Sequence, residues 1–177
     1  MKIRTILFPT LSLTLICLFT ALALSLTNRL TKDQIAMAER EAYLSAAREV
    51  LVADTLTELA RDDMEGFVGT DAEGRVVGYV FKTSAKGYGG AVSVVVGLNA
   101  DGSVVGVAVD APDETPGLGK NVEKSEFLTL FVGKNAAERP IIKENIDGVT
   151  GATYSSRAVA EGVSLAITHY ETLTKGD

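Results

Sequence analysis

An uncharged apolar run near the N-terminus, "ILFPTLSLTLICLFTALALSL" at residues 6–26, constrains this chain more than any other feature. With a rise of about 1.5 Å per residue, about 21 helical residues cross a hydrocarbon core of about 30 Å. The basic start "MKIR" also fits a removable signal peptide, but the apolar segment of such a peptide is usually about 7–15 residues long. A cleavage site at "ALA", residues 21–23, would lie inside the run. We therefore predict an uncleaved transmembrane anchor at residues 1–30, with residues 6–26 in the lipid bilayer.

Basic residues flank the anchor almost evenly and orient it only weakly. Lys2 and Arg4 precede the run, and Arg29 and Lys32 follow it closely. The positive-inside rule compares these charges. It leans slightly towards a cytoplasmic N-terminus, with the rest of the chain outside.

The rest of the chain is acidic. All 23 acidic residues and 15 of the 17 basic residues follow the run, so this part has a net charge of −8. Such a charge disfavours nucleic acid and anionic membrane surfaces as partners. Cys17 is the only cysteine, which rules out an intrachain disulfide, and no Cys/His cluster offers a zinc or iron–sulfur site. We predict no nucleic-acid partner and no metal site.

Residues 31–66 have the composition of a helical stalk. Ala, Glu, Arg and Leu dominate, and neither Gly nor Pro occurs between Thr31 and Gly66. These residues favour helix, so we predict one long helix, or two in tandem, continuing from the anchor.

A valine-rich part follows, with the period of β-strands. Residues 74–84 and 89–110 are rich in valine and are interrupted by glycines. "NADGS" at residues 99–103 predicts a hairpin turn between two strands. Three valines of each strand should share one face of an antiparallel meander: Val92, Val94 and Val96 in the first, and Val105, Val107 and Val109 in the second.

The C-terminal part has helical periodicity. "EKSEFLTLFVGK" at residues 123–134 predicts a short helix, and the last segment of the chain predicts a long one. The apolar stripe of the long helix contains Val159, Val163, Ala166, Tyr170 and Leu173. Together these patterns predict an α+β domain at residues 67–177, with an antiparallel sheet and flanking helices.

The sequence contains none of the common catalytic constellations. His169 is the only histidine and lies in the last helix, without a serine or cysteine that the sequence pairs with it. G-x-S-x-G, Walker and dinucleotide-binding motifs do not occur. We predict no catalytic residues, and a chain that is not an enzyme on its own.

Two glycine-containing loops remain as candidate sites. In "ETPGLG", residues 114–119, Gly117 and Gly119 permit a left-handed backbone or the close approach of a ligand. A simple tight turn is the alternative.

The second loop is "DGVTGATYSS", residues 147–156, just before the last helix. Its small residues leave room for a bulky group, and backbone donors at the start of a helix favour a phosphate. Its hydroxyls equally fit an ordinary helix cap. The candidate hydroxyls are those of Thr150, Thr153, Ser155 and Ser156.

Three motifs in order behind one apolar span resemble a known family. "KGYGG" at residues 86–90, "ETPGLG" and "DGVTGAT" are similar to motifs of the FMN-binding G subunit of the Rnf electron-transport complex. The related C subunit of the Na⁺-translocating NADH:quinone oxidoreductase shares them. The resemblance runs from the anchor to the last helix, and the length fits the Rnf subunit better.

The resemblance implies an FMN that is bound covalently, through a phosphoester to Thr153, the last residue of the family's [ST]-G-A-T motif. Asp147 belongs to the part of the motif that a flavin transferase reads. Ser155 and Ser156 fall outside the acceptor position. The implied FMN-binding residues are Thr150, Gly151, Ala152, Thr153, Glu114, Thr115, Gly117, Leu118 and Gly119, of which Glu114, Thr115, Leu118 and Gly119 would lie near the isoalloxazine ring.

The resemblance also implies a function. The chain would be an electron-transfer subunit of a membrane Rnf complex, in which ferredoxin:NAD⁺ oxidoreduction is coupled to Na⁺ or H⁺ translocation. It would lie in the cell membrane with its N-terminus in the cytoplasm and its FMN domain outside, with the other Rnf subunits and a flavin transferase as partners. One alternative is the FMN-carrying subunit of another membrane redox system, or a stand-alone extracytoplasmic flavoprotein. Another is a membrane-anchored binding module without a cofactor.

Overall fold

A computed structural model describes residues 3–59, 61 and 64–175 of the chain. The first element, α1, is a single helix from Ile3 to Val50. Within the described part of the chain, α1 is the one helix long and apolar enough to cross a membrane.

Threonines in the apolar part of α1 satisfy their hydroxyls within the helix. The hydroxyl of Thr14 donates to the Thr10 carbonyl at 2.9 Å, and that of Thr20 donates to the Ile16 carbonyl at 3.0 Å. Bonds of this kind remove the cost of placing a hydroxyl in hydrocarbon. The threonines of the anchor are therefore compatible with lipid.

The helical prediction is wrong for residues 51–59, 61 and 64–66, and residues 60, 62 and 63 lie outside the described residues. Helix α1 ends at Val50, and strand β1 (Thr55–Glu58) pairs antiparallel with strand β2 (Glu65–Thr70). This pairing satisfies the backbone of a segment whose composition favours helix, and tertiary context of this kind often outweighs propensity. The compact unit that contains the sheet begins at Tyr43, so it includes the last residues of α1.

The five strands form one antiparallel meander, in the order β1-β2-β3-β4-β5. The predicted sheet is confirmed, and so is the hairpin turn at residues 99–103, where the amide of Gly102 donates to the Asn99 carbonyl at 2.9 Å. The remaining strands are β3 (Val76–Lys86), β4 (Ala91–Asn99) and β5 (Val104–Asp110).

A bulge changes the alternation in β5. Gly97 pairs with Gly106 but Leu98 pairs with Val104, so Val105 is an extra residue in the ladder. Two apolar clusters pack against the sheet, one on each face. Val107 and Val109 pack against the larger cluster, whereas Val105 packs against the smaller one. The prediction that Val105 shares a face with the other two is therefore wrong, because a bulge shifts the period of two by one residue. The prediction for Val92, Val94 and Val96 is confirmed, since all three are fully buried in the larger cluster.

The larger cluster lies between the sheet and the C-terminal helix. After β5 come a 3₁₀ turn (Gly119–Glu123), helix α2 (Ser125–Leu128), a second 3₁₀ turn (Thr129–Phe131) and helix α3 (Thr153–Lys175). The apolar stripe predicted for α3 is confirmed: Val159, Val163 and Ala166 are buried, and Tyr170 and Leu173 pack at the margin.

Helix α3 approaches the sheet closely at Gly162. A Cβ added to Gly162 would lie 2.7 Å from Val94 Cγ2, and the hydroxyl of Thr83 donates to the Gly162 carbonyl at 3.0 Å. This contact fixes α3 against β3 and β4, and so fixes where the first turn of α3 lies.

The opposite face of the sheet carries the end of α1. A smaller cluster packs there, and a Cβ on Gly106 would lie 2.6 Å from the Val50 carbonyl oxygen. A Cβ on Gly97, the strand partner of Gly106, would overlap the same oxygen. The glycine pair thus admits the backbone of α1 to the sheet surface. The buried members of the cluster are Tyr43, Ala47, Val50, Leu51, Phe67, Val80 and Val95.

Candidate functional site

The three sequence motifs meet at one cleft, although they lie far apart along the chain. The cleft has a volume of about 350 Å³, at the lower end of the range for small-molecule pockets. Its walls come from the β3–β4 loop, the loop after β5 and the start of α3. The lining residues are Tyr88, Glu114, Thr115, Leu118, Gly119, Gly151, Ala152, Thr153, Tyr154 and Ser155.

Glu114 joins the three motifs through its carboxylate. Its side chain is almost completely buried, with 2% exposed. Oε1 accepts bonds from the amides of Tyr88 at 2.6 Å and Gly89 at 3.2 Å, and Oε2 accepts one from the Ser155 hydroxyl at 2.8 Å. A buried acceptor left unpaired is costly, and here both oxygens are used to hold separate parts of the chain together.

Glycines in these motifs make room for that carboxylate. A Cβ on Gly87 or Gly119 would overlap an oxygen of Glu114. Gly119 therefore serves a close approach, but to Glu114 itself. Gly117 serves the other role that the sequence allowed, because its φ of 77° lies in the left-handed region and nothing lies near its open side.

The start of α3 has backbone donors without acceptors in the helix. The Ala152 carbonyl accepts the Ser156 amide at 2.8 Å, which is the first bond of the helix. The amides of Thr153, Tyr154 and Ser155 precede it in the first turn, where a helix supplies no partner. Ala152 has no polar side chain with which to cap them.

The neighbouring serine hydroxyls are buried and used elsewhere. Ser155 bonds to Glu114, and the oxygen of Ser156 accepts the Val149 amide at 3.0 Å. Ser155 lines the cleft, but its hydroxyl is bonded to Glu114, and Ser156 is not among the lining residues. These two hydroxyls are therefore engaged by Glu114 and by the Val149 amide.

Thr153 is half-buried and lines the cleft as the first residue of α3. The preceding turn is fixed by Gly151, whose φ of 78° favours glycine. Thr150 and Asp147 are exposed and, like Gly117, are not among the lining residues. The predicted FMN-binding residues that do line the cleft are Glu114, Thr115, Leu118, Gly119, Gly151, Ala152 and Thr153.

Two tyrosines of the cleft were not predicted. Tyr88 and Tyr154 are 75% and 64% exposed, and their ring centroids lie 6.2 Å apart at an angle of 44°. The signal available in the sequence was a single aromatic residue inside each glycine-containing motif, "KGYGG" and "TGATY". Among the described residues, no group of three or more His, Cys, Asp or Glu could hold a metal ion.

Comparison with known families matches both parts of the chain. Residues 87–168 match the FMN-binding domain family, and residues 1–50 match the RnfG N-terminal region. The G subunit of the proton-translocating ferredoxin:NAD⁺ oxidoreductase complex of Clostridium ljungdahlii is 30% identical over 94% of this chain and 92% of its own length. The chain belongs to the Rnf G-subunit family.

Other family members agree. The G subunit of the Na⁺-translocating ferredoxin:NAD⁺ oxidoreductase complex of Acetobacterium woodii is 32% identical over 84% of this chain and 76% of its own length. The G subunit of the ion-translocating oxidoreductase complex of Escherichia coli K12 gives the same three values. This Rnf protein is therefore a membrane-anchored electron-transfer subunit with an FMN-binding domain, as the resemblance implied.

A solved structure confirms the fold. The C subunit of the Na⁺-translocating NADH-quinone reductase from Parabacteroides distasonis superposes with a TM-score of 0.53 at 21% identity. The match covers 64% of this chain and 64% of that one. The predicted α+β domain, with an antiparallel sheet and a C-terminal helix, has the fold of that structure over the matched part. In this chain the domain follows an apolar N-terminal helix.

Proposed function

We propose that this chain carries FMN as a phosphate ester on the hydroxyl of Thr153. The observation that supports the proposal most strongly is the different situation of neighbouring hydroxyls. Thr153 and Ser155 both line the cleft, but Thr153 is half-buried, whereas Ser155 is buried and donates its hydroxyl to Glu114. Ser156 is also buried, and its hydroxyl oxygen accepts the Val149 amide.

The start of α3 suits the phosphate of such an ester. The amides of the first turn lack helical acceptors, and the helix dipole adds partial positive charge at the same end. Together these features favour an anion next to Thr153. The small side chains of Gly151 and Ala152 leave its approach open.

The ester requires an activated flavin nucleotide and a flavin transferase. The Thr153 oxygen forms a bond to the FMN phosphorus, the bond from phosphorus to the leaving group breaks, and the hydroxyl proton goes to that leaving group. The exposed Asp147 lies outside the cleft, where a transferase can read it before the ester forms.

When bound, FMN supplies the redox chemistry. The residues of this chain bind it, orient it and limit its contact with water. Tyr88, Leu118 and Tyr154 form the exposed apolar rim of the cleft. A polypeptide with these roles relays electrons and requires no acid, base or nucleophile of its own.

We further propose that this relay operates inside a membrane Rnf complex coupled to Na⁺ or H⁺ translocation. Relatives of similar identity are named for each ion, proton in one and Na⁺ in another. Both relatives are named as subunits of a complex, so the other Rnf subunits are the proposed partners. The coupling ion is then a property of those subunits.

Intact mass and peptide mapping test the covalent flavin. The full chain is produced with a flavin transferase, and we expect a mass increase of one FMN less one water on the peptide that contains Thr153. A Ser155→Ala variant is the matched control and should carry the same modification at the same residue. Unmodified protein, in a preparation in which a known family member is flavinylated, would overturn the proposal.

We also propose that the N-terminus lies in the cytoplasm and the FMN domain outside it. Cys17 is the only cysteine, so a Cys17→Ser background allows single labels to be placed at will. In that background Ala137→Cys, at an exposed position of the domain, should react with a membrane-impermeant maleimide on intact cells or spheroplasts. If the new cysteine is labelled only after lysis, the domain faces the cytoplasm and the proposed orientation is wrong.

A further inference from the structure

We propose that Glu114 is a positioning residue that holds Tyr88 and Tyr154 as one aromatic wall against the flavin ring. The inference rests on the proposed function, because it assigns residues to the ring of the FMN whose phosphate Thr153 would hold. Beyond that function, the inference assigns two tyrosines to one side of the flavin ring and gives Glu114 the role of positioning them.

The first step concerns the backbone beneath both rings. Glu114 Oε1 accepts the amide of Tyr88 itself, at 2.6 Å, and Oε2 accepts the hydroxyl of Ser155, the residue after Tyr154. One side chain thus links the loop that carries Tyr88 to the first turn of α3, which carries Tyr154. The glycines at 87 and 119 leave room for Glu114 in this position, because a Cβ on either would overlap its oxygens.

The second step concerns the rings. Both are more than half exposed, although each projects from a backbone that is held tightly. A flat ring held between two parallel aromatic rings needs about 3.5–4.0 Å on each side, or about 7–8 Å in total. The observed 6.2 Å and the tilt of 44° are too close and too oblique for such a slot. The two rings therefore form a single wall, which the flavin contacts from the cleft side.

The third step separates position from charge. In a Glu114→Gln variant the amide oxygen can still accept the Tyr88 and Gly89 amides, and the NH₂ group can donate to Ser155. Hydrogen-bonded positioning is therefore retained in Glu114→Gln and lost in Glu114→Ala. A role that depends on the carboxylate charge would be lost in both.

The test uses the fluorescence lifetime of the attached flavin, because a tyrosine in contact with an excited flavin quenches its emission. The full chain is flavinylated, and incorporation is checked by mass. We expect severalfold longer lifetimes for the Tyr88→Leu/Tyr154→Leu double variant and for Glu114→Ala. Glu114→Gln should match the wild type, as should Asp113→Ala, which truncates the neighbouring exposed carboxylate.

A combined variant shows whether Glu114 acts through the tyrosines. In the Tyr88→Leu/Tyr154→Leu background, Glu114→Ala should lengthen the lifetime no further. An equal further increase would overturn the positioning role, and so would Glu114→Gln behaving like Glu114→Ala. If Glu114→Ala does not fold, Ser155→Ala replaces it, because it removes one of the three bonds. Its lifetime should then lie between the wild type and the tyrosine variant, and an unchanged value would count against the proposal.

Failure of this inference differs from failure of the proposed function. A wild-type chain without flavin by mass overturns the proposed function, and this inference with it. A flavinylated wild type whose lifetime is insensitive to Tyr88, Tyr154 and Glu114 overturns the aromatic wall alone.

Discussion

The two faces of the sheet are covered by different helices, one that contributes to the cleft and one that continues from the apolar run. Helix α3 covers one face over a large apolar cluster, and its first turn forms part of the cleft. The end of α1 covers the other face over a smaller cluster, in which Tyr43 is the polar member. The candidate site and the last turns of α1 thus lie on opposite sides of one sheet. A substitution at the cleft on the α3 face should therefore change flavin attachment with little effect on stability. A substitution under the end of α1 should change stability and leave flavin attachment intact.

The largest expected effect is on the cleft face. Thr153→Ala removes the acceptor hydroxyl, so we expect complete loss of covalent flavin. Thr153 is only half-buried, so the free energy of unfolding should change by less than about 1 kcal/mol. In-gel flavin fluorescence and urea unfolding measure the two effects. Thr153→Ser keeps a hydroxyl and is the control, and flavin retained covalently in Thr153→Ala would contradict the assignment.

The next effect is on the anchor face. In Gly97→Ala the new methyl group would overlap the Val50 carbonyl oxygen, so the end of α1 must move. We expect a loss of about 1–3 kcal/mol in the free energy of unfolding, the usual range for overpacking. Flavin incorporation per folded chain should stay at the wild-type level. Loss of incorporation with unchanged stability would show that the two faces are coupled.

A smaller effect concerns Tyr43 at alkaline pH. Burial raises the pKa of Tyr43 above its ordinary value, and the nearby Glu65 carboxylate adds to the rise. The folded state therefore keeps the proton when the unfolded state loses it, above about pH 10. Stability is fully present below that pH and falls as pH rises towards the folded-state pKa.

Tyr43→Phe is the matched control for this pH dependence. It cannot ionise, and it loses only a 3.3 Å bond to the Glu65 carbonyl. Its unfolding free energy should fall less steeply than that of the wild type above about pH 10. Parallel curves would show that Tyr43 is not the group responsible.

The smallest effect is expected at the β2–β3 turn. The Arg75 amide and guanidinium hold the pKa of Asp71 below its ordinary value. The stability that this contributes is present above about pH 4 and is lost as pH falls through the lower folded-state pKa. Asp71→Asn should flatten the acid limb of the stability curve slightly, as followed by urea unfolding between these pH values. No change would mean that solvent screens the pair completely.

Local patterns predicted those parts of the fold that depend on neighbouring residues. The anchor helix, the valine strands, the hairpin at 99–103 and the stripe of α3 all follow from periodicity and turn chemistry. Predictions failed where a distant partner decides. Residues 55–58 are a strand because β2 pairs with them, and Val105 changes face because the register with β4 contains a bulge.

The candidate site divides in the same way. The sequence by itself determined which residues could form it, because three short motifs hold small residues, hydroxyls and glycines that suit the proposed FMN. Only the tertiary structure decided how they act. Glu114 accepts hydrogen bonds from Tyr88 and Ser155, which lie 26 and 41 positions away in the chain. The bond to Ser155 engages the Ser155 hydroxyl, whereas Thr153 lines the cleft. The spacing of residues along a chain does not specify such contacts, because they exist only once the sheet and α3 have packed.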